Sequence, residues 1–403
     1  MDGARTRGQV AALGAVTAMV RGPAPQAVLF VGPEGVGKTT LALDLAAGLM
    51  CTAAPADRPC RACRACRLVE RGAHPDLHRL GPVGPGRQVV IGGPDARYRG
   101  VRDLVTDLAL MPVEGGARVA IIEGADRMNE DAQSALLKTL EEPPGGVTIA
   151  LCADQEARLL PTVRSRCFRV RLGLVGPRDI EAILADHDLA DPPTAARLGR
   201  LAGGRPGIAL AYARAPDAVL IRAELTRTLI DLTDAGPAVR LAAARAAVPR
   251  AIALSSALAA ADPAATAARP GRRRGPAAIA SPPVETSVVG TADDEPPSDG
   301  DGTAAGPSRV PATDRRRGVE VLIGLWTDVA RDVVLVAAGG RGSVHDTVLL
   351  DEMVRIAGSI SLGDVVAFLG RSARSAEWLA SNVSPELILD ALVLAWPRRI
   401  AAA

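Results

Sequence analysis

Eight consecutive residues, Gly32-Pro33-Glu34-Gly35-Val36-Gly37-Lys38-Thr39, constrain this chain more than anything else in it. They satisfy the pattern G-x-x-x-x-G-K-[ST] without a mismatch, follow the apolar run Val28-Leu29-Phe30-Val31, and lead into a predicted helix at Lys38. In that strand–loop–helix setting the glycines let the backbone curl so that its N–H groups point inward, and the helix N-terminus adds a partial positive charge. The motif therefore predicts a phosphate cradle. Gly32, Gly35 and Gly37 would shape it, Lys38 would reach the outer phosphates, and Thr39, with Thr40 beside it, would serve the nucleotide and its Mg²⁺. Of 47 basic residues only Lys38 and Lys138 are lysine. A composition that avoids lysine and still keeps Lys38 indicates that a guanidinium does not serve there.

The surroundings of the loop alternate in strand and helix character. Strands are predicted at 27–31, 89–91, 117–122, 147–151 and 167–172, with helices starting at Lys38, Tyr98 and Asn129. Such alternation implies a parallel sheet covered by helices, an α/β fold. Residues 1–172 are read as this core, 173–213 as a small helical lid with helices at 179–186 and 193–202, and 214–403 as an all-α domain. Within the last, residues 262–318 contain no aromatic residue and are dominated by Ala, Pro, Gly, Ser, Thr and short charge runs. Such a stretch cannot bury enough apolar surface to offset its ordering entropy and is expected to be a disordered insertion. With aromatics at 2%, the cores must be built from Leu, Val, Ile and Ala. A net charge of +2 excludes a grossly basic wrapper of nucleic acid.

Four of the six cysteines, Cys51, Cys60, Cys63 and Cys66, form C-x8-C-x2-C-x2-C. Four thiolates suit tetrahedral Zn²⁺, and a closed four-thiolate shell leaves no open position, so the expected role is structural. Arg58, Arg61, Arg64 and Arg67 are expected to favour the thiolates, while His74 and His78 are read as non-ligands. Cys152 and Cys167 are expected to be buried, inert thiols in strands. Arg5 and Arg7 before the apolar stretch 10–20 resemble the start of a signal peptide, but a short helix so close to the phosphate-loop strand is the preferred reading. The best apolar run, 319–338, is broken by Glu320, Asp328, Arg331 and Asp332, so no membrane span and a cytoplasmic location are expected.

The carboxylates that accompany a phosphate loop are incomplete. The strand Val119-Ala120-Ile121-Ile122 ends in Glu123-Gly124 where many ATPases have Asp-Glu. Glu123 retains reach toward Mg²⁺ through water, whereas Gly124 cannot accept a proton, and loss of a general base commonly costs about 10²–10⁴ in rate. Binding without efficient turnover is expected.

In this order the motifs resemble the delta-prime family of bacterial clamp-loader AAA+ subunits. The resemblance is carried by the cysteine module followed by Gly72-Ala73-His74-Pro75-Asp76-Leu77. It is carried also by Ala125-Asp126-Arg127-Met128-Asn129, by Leu136-Leu137-Lys138-Thr139-Leu140-Glu141-Glu142-Pro143-Pro144, and by Ser165-Arg166-Cys167. It covers residues 8 to about 212 well and the helical remainder weakly. It implies an AAA+ core, a lid and a helical collar, the collar joining a hetero-pentameric ring with gamma/tau motor subunits and delta. That ring loads the sliding clamp onto primed DNA. The chain would be its stator, binding ATP/Mg²⁺ with weak or absent hydrolysis and donating Arg166 as an arginine finger to a neighbouring motor. Departures are Glu123-Gly124, Cys152-Ala153-Asp154 where a polar sensor is expected, and Gly203-Gly204-Arg205-Pro206-Gly207, where a second sensor arginine is absent or displaced to Arg205. The alternatives are a catalytically active gamma/tau-type ATPase, which Gly124 disfavours, and a scaffold that binds no nucleotide.

Overall fold

The computed structural model describes residues 1–403 except 2, 85, 86, 95, 115, 262–309, 382 and 401–403. Most of the expected insertion therefore lies outside the described residues. Its last part does not: a helix begins at Ala312, inside the stretch 262–318 read as unstructured.

Five parallel strands form one sheet: β1 (Ala27–Val31), β2 (Leu77–Leu80), β3 (Arg118–Glu123), β4 (Val147–Ala153) and β5 (Phe168–Arg171), in the order β2-β3-β4-β1-β5. The central strands are largely apolar, and every residue of β4 is buried, as a sheet covered on both faces requires. One face is covered by α1 (Val10–Arg21), α2 (Lys38–Met50) and α3 (Arg64–Glu70), through Val16, Val20, Leu41 and Leu45. The other carries α4 (Val101–Leu108) and α5 (Glu130–Glu141), through Leu104, Leu108, Leu136 and Leu140. Asn129 caps α5, its side chain accepting from Ala132 N at 3.0 Å. The α/β parallel-sheet core followed by a helical remainder, expected from the sequence, is the one observed.

Two details differ. Residues 89–91 form no strand, Val89 making only an isolated bridge to Met128, and the edge strand β2 was not expected. The helix expected from Tyr98 begins at Val101.

The rest is helical. A short α6 (Pro161–Arg164) precedes β5, and α7 (Pro177–Asp186), α8 (Pro192–Leu201) and α9 (Pro206–Arg214) follow it. Next come α10 (Pro216–Asp231), α11 (Pro237–Ala261), α12 (Ala312–Ala337), α13 (Leu350–Ala357), α14 (Leu362–Ala380) and α15 (Pro385–Leu394). Val175, Ile180, Tyr212, Leu229, Trp326, Phe368 and Trp396 belong to one apolar cluster that runs through the boundary read at 213. Among the described residues α11 is long and apolar enough to cross a membrane, unlike 319–338. It packs on α10, α12 and α15, and its fully buried Arg240 donates to Ala235 O at 3.0 Å and Pro397 O at 3.1 Å, and to Trp396 O.

Candidate functional site

The phosphate loop leaves β1 at its carboxyl end and opens α2. Gly35 and Gly37 stand at φ +83° and +102°, a region open mainly to glycine. A Cβ at Gly32 would lie 2.3 Å from Leu172 O, so only glycine fits against the neighbouring strand. Lys38 follows as the first residue of α2, and Thr39 and Thr40 are half-buried in its first turn. The cradle geometry and the single buried ammonium suit a nucleotide's phosphates.

Lys38 Nζ donates to Gly32 O and Pro33 O at 2.7 Å each and meets Asp154 Oδ1 at 2.7 Å. Asp154 lies just past β4, which pairs with β1, and Arg127 Nη2 is 3.6 Å from its second oxygen. Glu123 ends β3 and is gripped by Arg79 of β2, with Nη2 2.5 Å and Nε 3.1 Å from Oε1. Neither pairing was anticipated, because each requires the spatial strand order. Gly124 sits at φ +60°, and a Cβ there would meet Pro82 Cγ at 3.0 Å. Asp126 accepts Asp154 N at 3.0 Å and Gln155 N at 3.4 Å.

The helical segment that follows β5 touches the loop directly. Gly207 N at the start of α9 donates to Gly35 O at 2.8 Å. Arg205 stands at the rim, its Cβ 3.5 Å from where a side chain at Gly35 would begin, with Nε committed to Ala202 O at 3.0 Å.

Cys51, Cys60, Cys63 and Cys66 converge, their sulfurs all within 4.8 Å of one another. Sulfurs around Zn²⁺ at about 2.3 Å stand about 3.8 Å apart, so the cluster needs little contraction to hold the ion. Backbone N–H groups of Cys60, Cys63 and Cys66 each point at the preceding cysteine sulfur at 3.4 Å. For Cys63 burial opposes ionisation, but the N–H groups of Cys66 and Thr52 outweigh it and bring the thiol down to about 6. The N–H of Cys63 likewise holds Cys60 below the usual thiol range. Burial pushes Cys66 above it. Two of the arginines expected to supply positive field are engaged with acids: Arg61 with Asp44 and Glu70, and Arg64 with Glu114. Backbone dipoles thus favour the thiolates. Cys152 and Cys167 are pushed up by burial to about 12 and about 11, consistent with inert thiols, although Cys167 precedes β5 rather than lying in it.

Arg166 lies between α6 and β5. Its Nη1 donates to Thr162 O at 2.8 Å, and its Nη2 pairs with Glu141 Oε1, at the end of α5, at 2.6 Å. Both partners are partly exposed. Because β5 runs parallel to β1, with Phe168 beside Val28 and Arg171 beside Val31, Arg166 enters the sheet at the edge opposite the phosphate loop. The seven residues of β4 between those edges span about 20 Å.

Residues 15–175 match the family model described as DNA polymerase III, delta subunit. This stretch, about two fifths of the chain, is what is similar to that family. The matched stretch holds the phosphate loop, the four cysteines and Arg166. The chain is 38% identical over 182 residues to DNA polymerase III subunit delta' of Pseudomonas aeruginosa, covering 45% of this chain and 53% of that one. It is 31% identical over 176 residues to subunit tau of Escherichia coli, covering 43% and 26%. The chain thus spans about half the length of the delta' relative. Among solved structures it is similar to a gamma subunit-related protein of Thermotoga maritima, at 15% identity and TM-score 0.38, covering 95% of this chain and 97% of that one.

Proposed function

We propose that this chain acts as the delta-prime-type stator of a clamp loader. It would hold a nucleotide without turning it over efficiently and lend Arg166 to the ATP site of a neighbouring motor subunit. The observation that carries this reading is the position of Arg166, surface-accessible and about 20 Å of strand away from its own phosphate loop. A guanidinium so placed is suited to another molecule's site, not its own. Gly124 supports the other half of the reading, since it offers no carboxylate to activate water.

In this assignment gamma/tau motors and delta complete a hetero-pentameric ring that acts on the sliding clamp and primed DNA. Zn²⁺ on Cys51, Cys60, Cys63 and Cys66 fastens the module packed on α2. Gly32, Gly35, Gly37, Lys38, Thr39 and Thr40 hold the nucleotide phosphates, with Glu123 nearest to any Mg²⁺. Bound nucleotide supplies an anionic bridge between the loop and the lid at Gly207 and Arg205. The intact loop is the one feature that favours an active gamma/tau-type motor instead. Turnover by the isolated full chain separates the two: background rates are expected, while motor-like hydrolysis abolished by Lys38→Ala would reject the stator assignment.

A further inference from the structure

A lysine ammonium has three N–H donors. All three contacts of Lys38 Nζ are within the protein: Gly32 O, Pro33 O and Asp154 Oδ1, each at 2.7 Å. The side chain is 9% exposed, so water replaces none of them readily. Two partners are neutral carbonyls of the loop itself. The third is a full negative charge.

That charge is firmly placed. Asp154 N is held by Asp126 Oδ1 at 3.0 Å, and its neighbour Ala153 is in register with Val31, Ala153 O accepting Gly32 N at 3.3 Å. Arg127 flanks the second carboxylate oxygen at 3.6 Å. A phosphate entering the loop must share Lys38 with this carboxylate or displace it. The lysine of such a loop serves the outer phosphate groups, whereas backbone N–H groups serve the inner ones. Asp154 therefore opposes the outermost phosphate most strongly.

We propose that Asp154 determines which nucleotide the loop accepts, selecting a nucleoside diphosphate over a triphosphate. This rests on the reading that the loop holds a nucleotide, and it names the class. Two like charges sharing one buried cation lose the attraction that each would have alone.

The test is direct binding of ADP and ATP to the full chain, with and without Mg²⁺, for the wild type, Asp154→Asn and Asp154→Ser. Thermal melting without ligand verifies that each variant is folded. The wild type is expected to bind ADP about tenfold more tightly than ATP, and either variant to close that ratio by strengthening ATP. A wild type that prefers ATP overturns the proposal. So does a ratio unchanged in both folded variants, or ATP binding that weakens in the variants only with Mg²⁺, which would make Asp154 a metal ligand. Failure of every protein to bind either nucleotide would overturn the nucleotide-holding reading itself.

Discussion

Arg79 Nη2 lies 2.5 Å from Glu123 Oε1, tying the edge strand β2 to the carboxylate at the end of β3. In a phosphate-loop protein that carboxylate is the one nearest to Mg²⁺, and here a cation of the protein already stands beside it. Metal binding by Glu123 must compete with this half-buried guanidinium.

Arg79→Ala removes that competitor. Nucleotide affinity should then depend severalfold more on Mg²⁺ than in the wild type, read as the ratio of Kd values in EDTA and in Mg²⁺. An unchanged ratio would mean that Glu123 takes no part in metal binding.

Restoring a carboxylate at position 124 should not create an ATPase. Gly124 has φ +60°, and a Cβ there presses on Pro82 at 3.0 Å. A non-glycine residue in such a conformation costs about 1–2 kcal/mol. Gly124→Glu is therefore expected to lower the denaturation midpoint while hydrolysis stays at background. Brisk hydrolysis by this variant would show that only the base was missing.

Freshly purified protein should contain about one zinc per chain, since four thiolates complete one tetrahedral shell. Cys63→Ser should lose the metal and loosen the module packed on α2, seen as faster proteolysis within 51–66. A zinc-free wild type of unchanged stability would argue against a metal role for the cluster.

His345 supplies a pH signature. Its Nδ1 is 2.7 Å from Oδ1 of the buried Asp332, and this hydrogen bond raises its pKa above 6.5 against the opposing effect of burial. A raised folded-state pKa contributes stability that is fully present below the unfolded value, near 6.5, and is lost as pH rises through the folded value. Denaturant midpoints should accordingly fall from pH 6 toward pH 8. In Asp332→Asn that part of the dependence should be flattened. A variant with the full wild-type slope would locate the titration elsewhere.

The core was legible because the phosphate loop demands a strand before it and a helix after it, and because β1, β3 and β4 are apolar enough to lie between two helical layers. β2 escaped notice because Leu77-His78-Arg79-Leu80 has only two apolar residues, which suffices for an edge strand with one neighbour. With it went the Arg79–Glu123 pair. Val89-Val90-Ile91 has the composition of a strand, but it lies outside the sheet. The helix at Ala312 begins among charged residues, and its buried apolar positions start only at Val319. The convergence of the four cysteines could be read from spacing alone. The contact of Asp154 with Lys38 could not, since it depends on β4 lying beside β1, a juxtaposition that 115 intervening residues conceal.

The most direct test is ATP turnover by motor subunits assembled with the full chain carrying either Arg166 or Arg166→Ala. The variant should assemble normally, keep its zinc and slow hydrolysis, because a trans arginine is worth about 10³–10⁵ at a single site. Equal turnover in the two assemblies would contradict the claim that this arginine works in the neighbouring subunit.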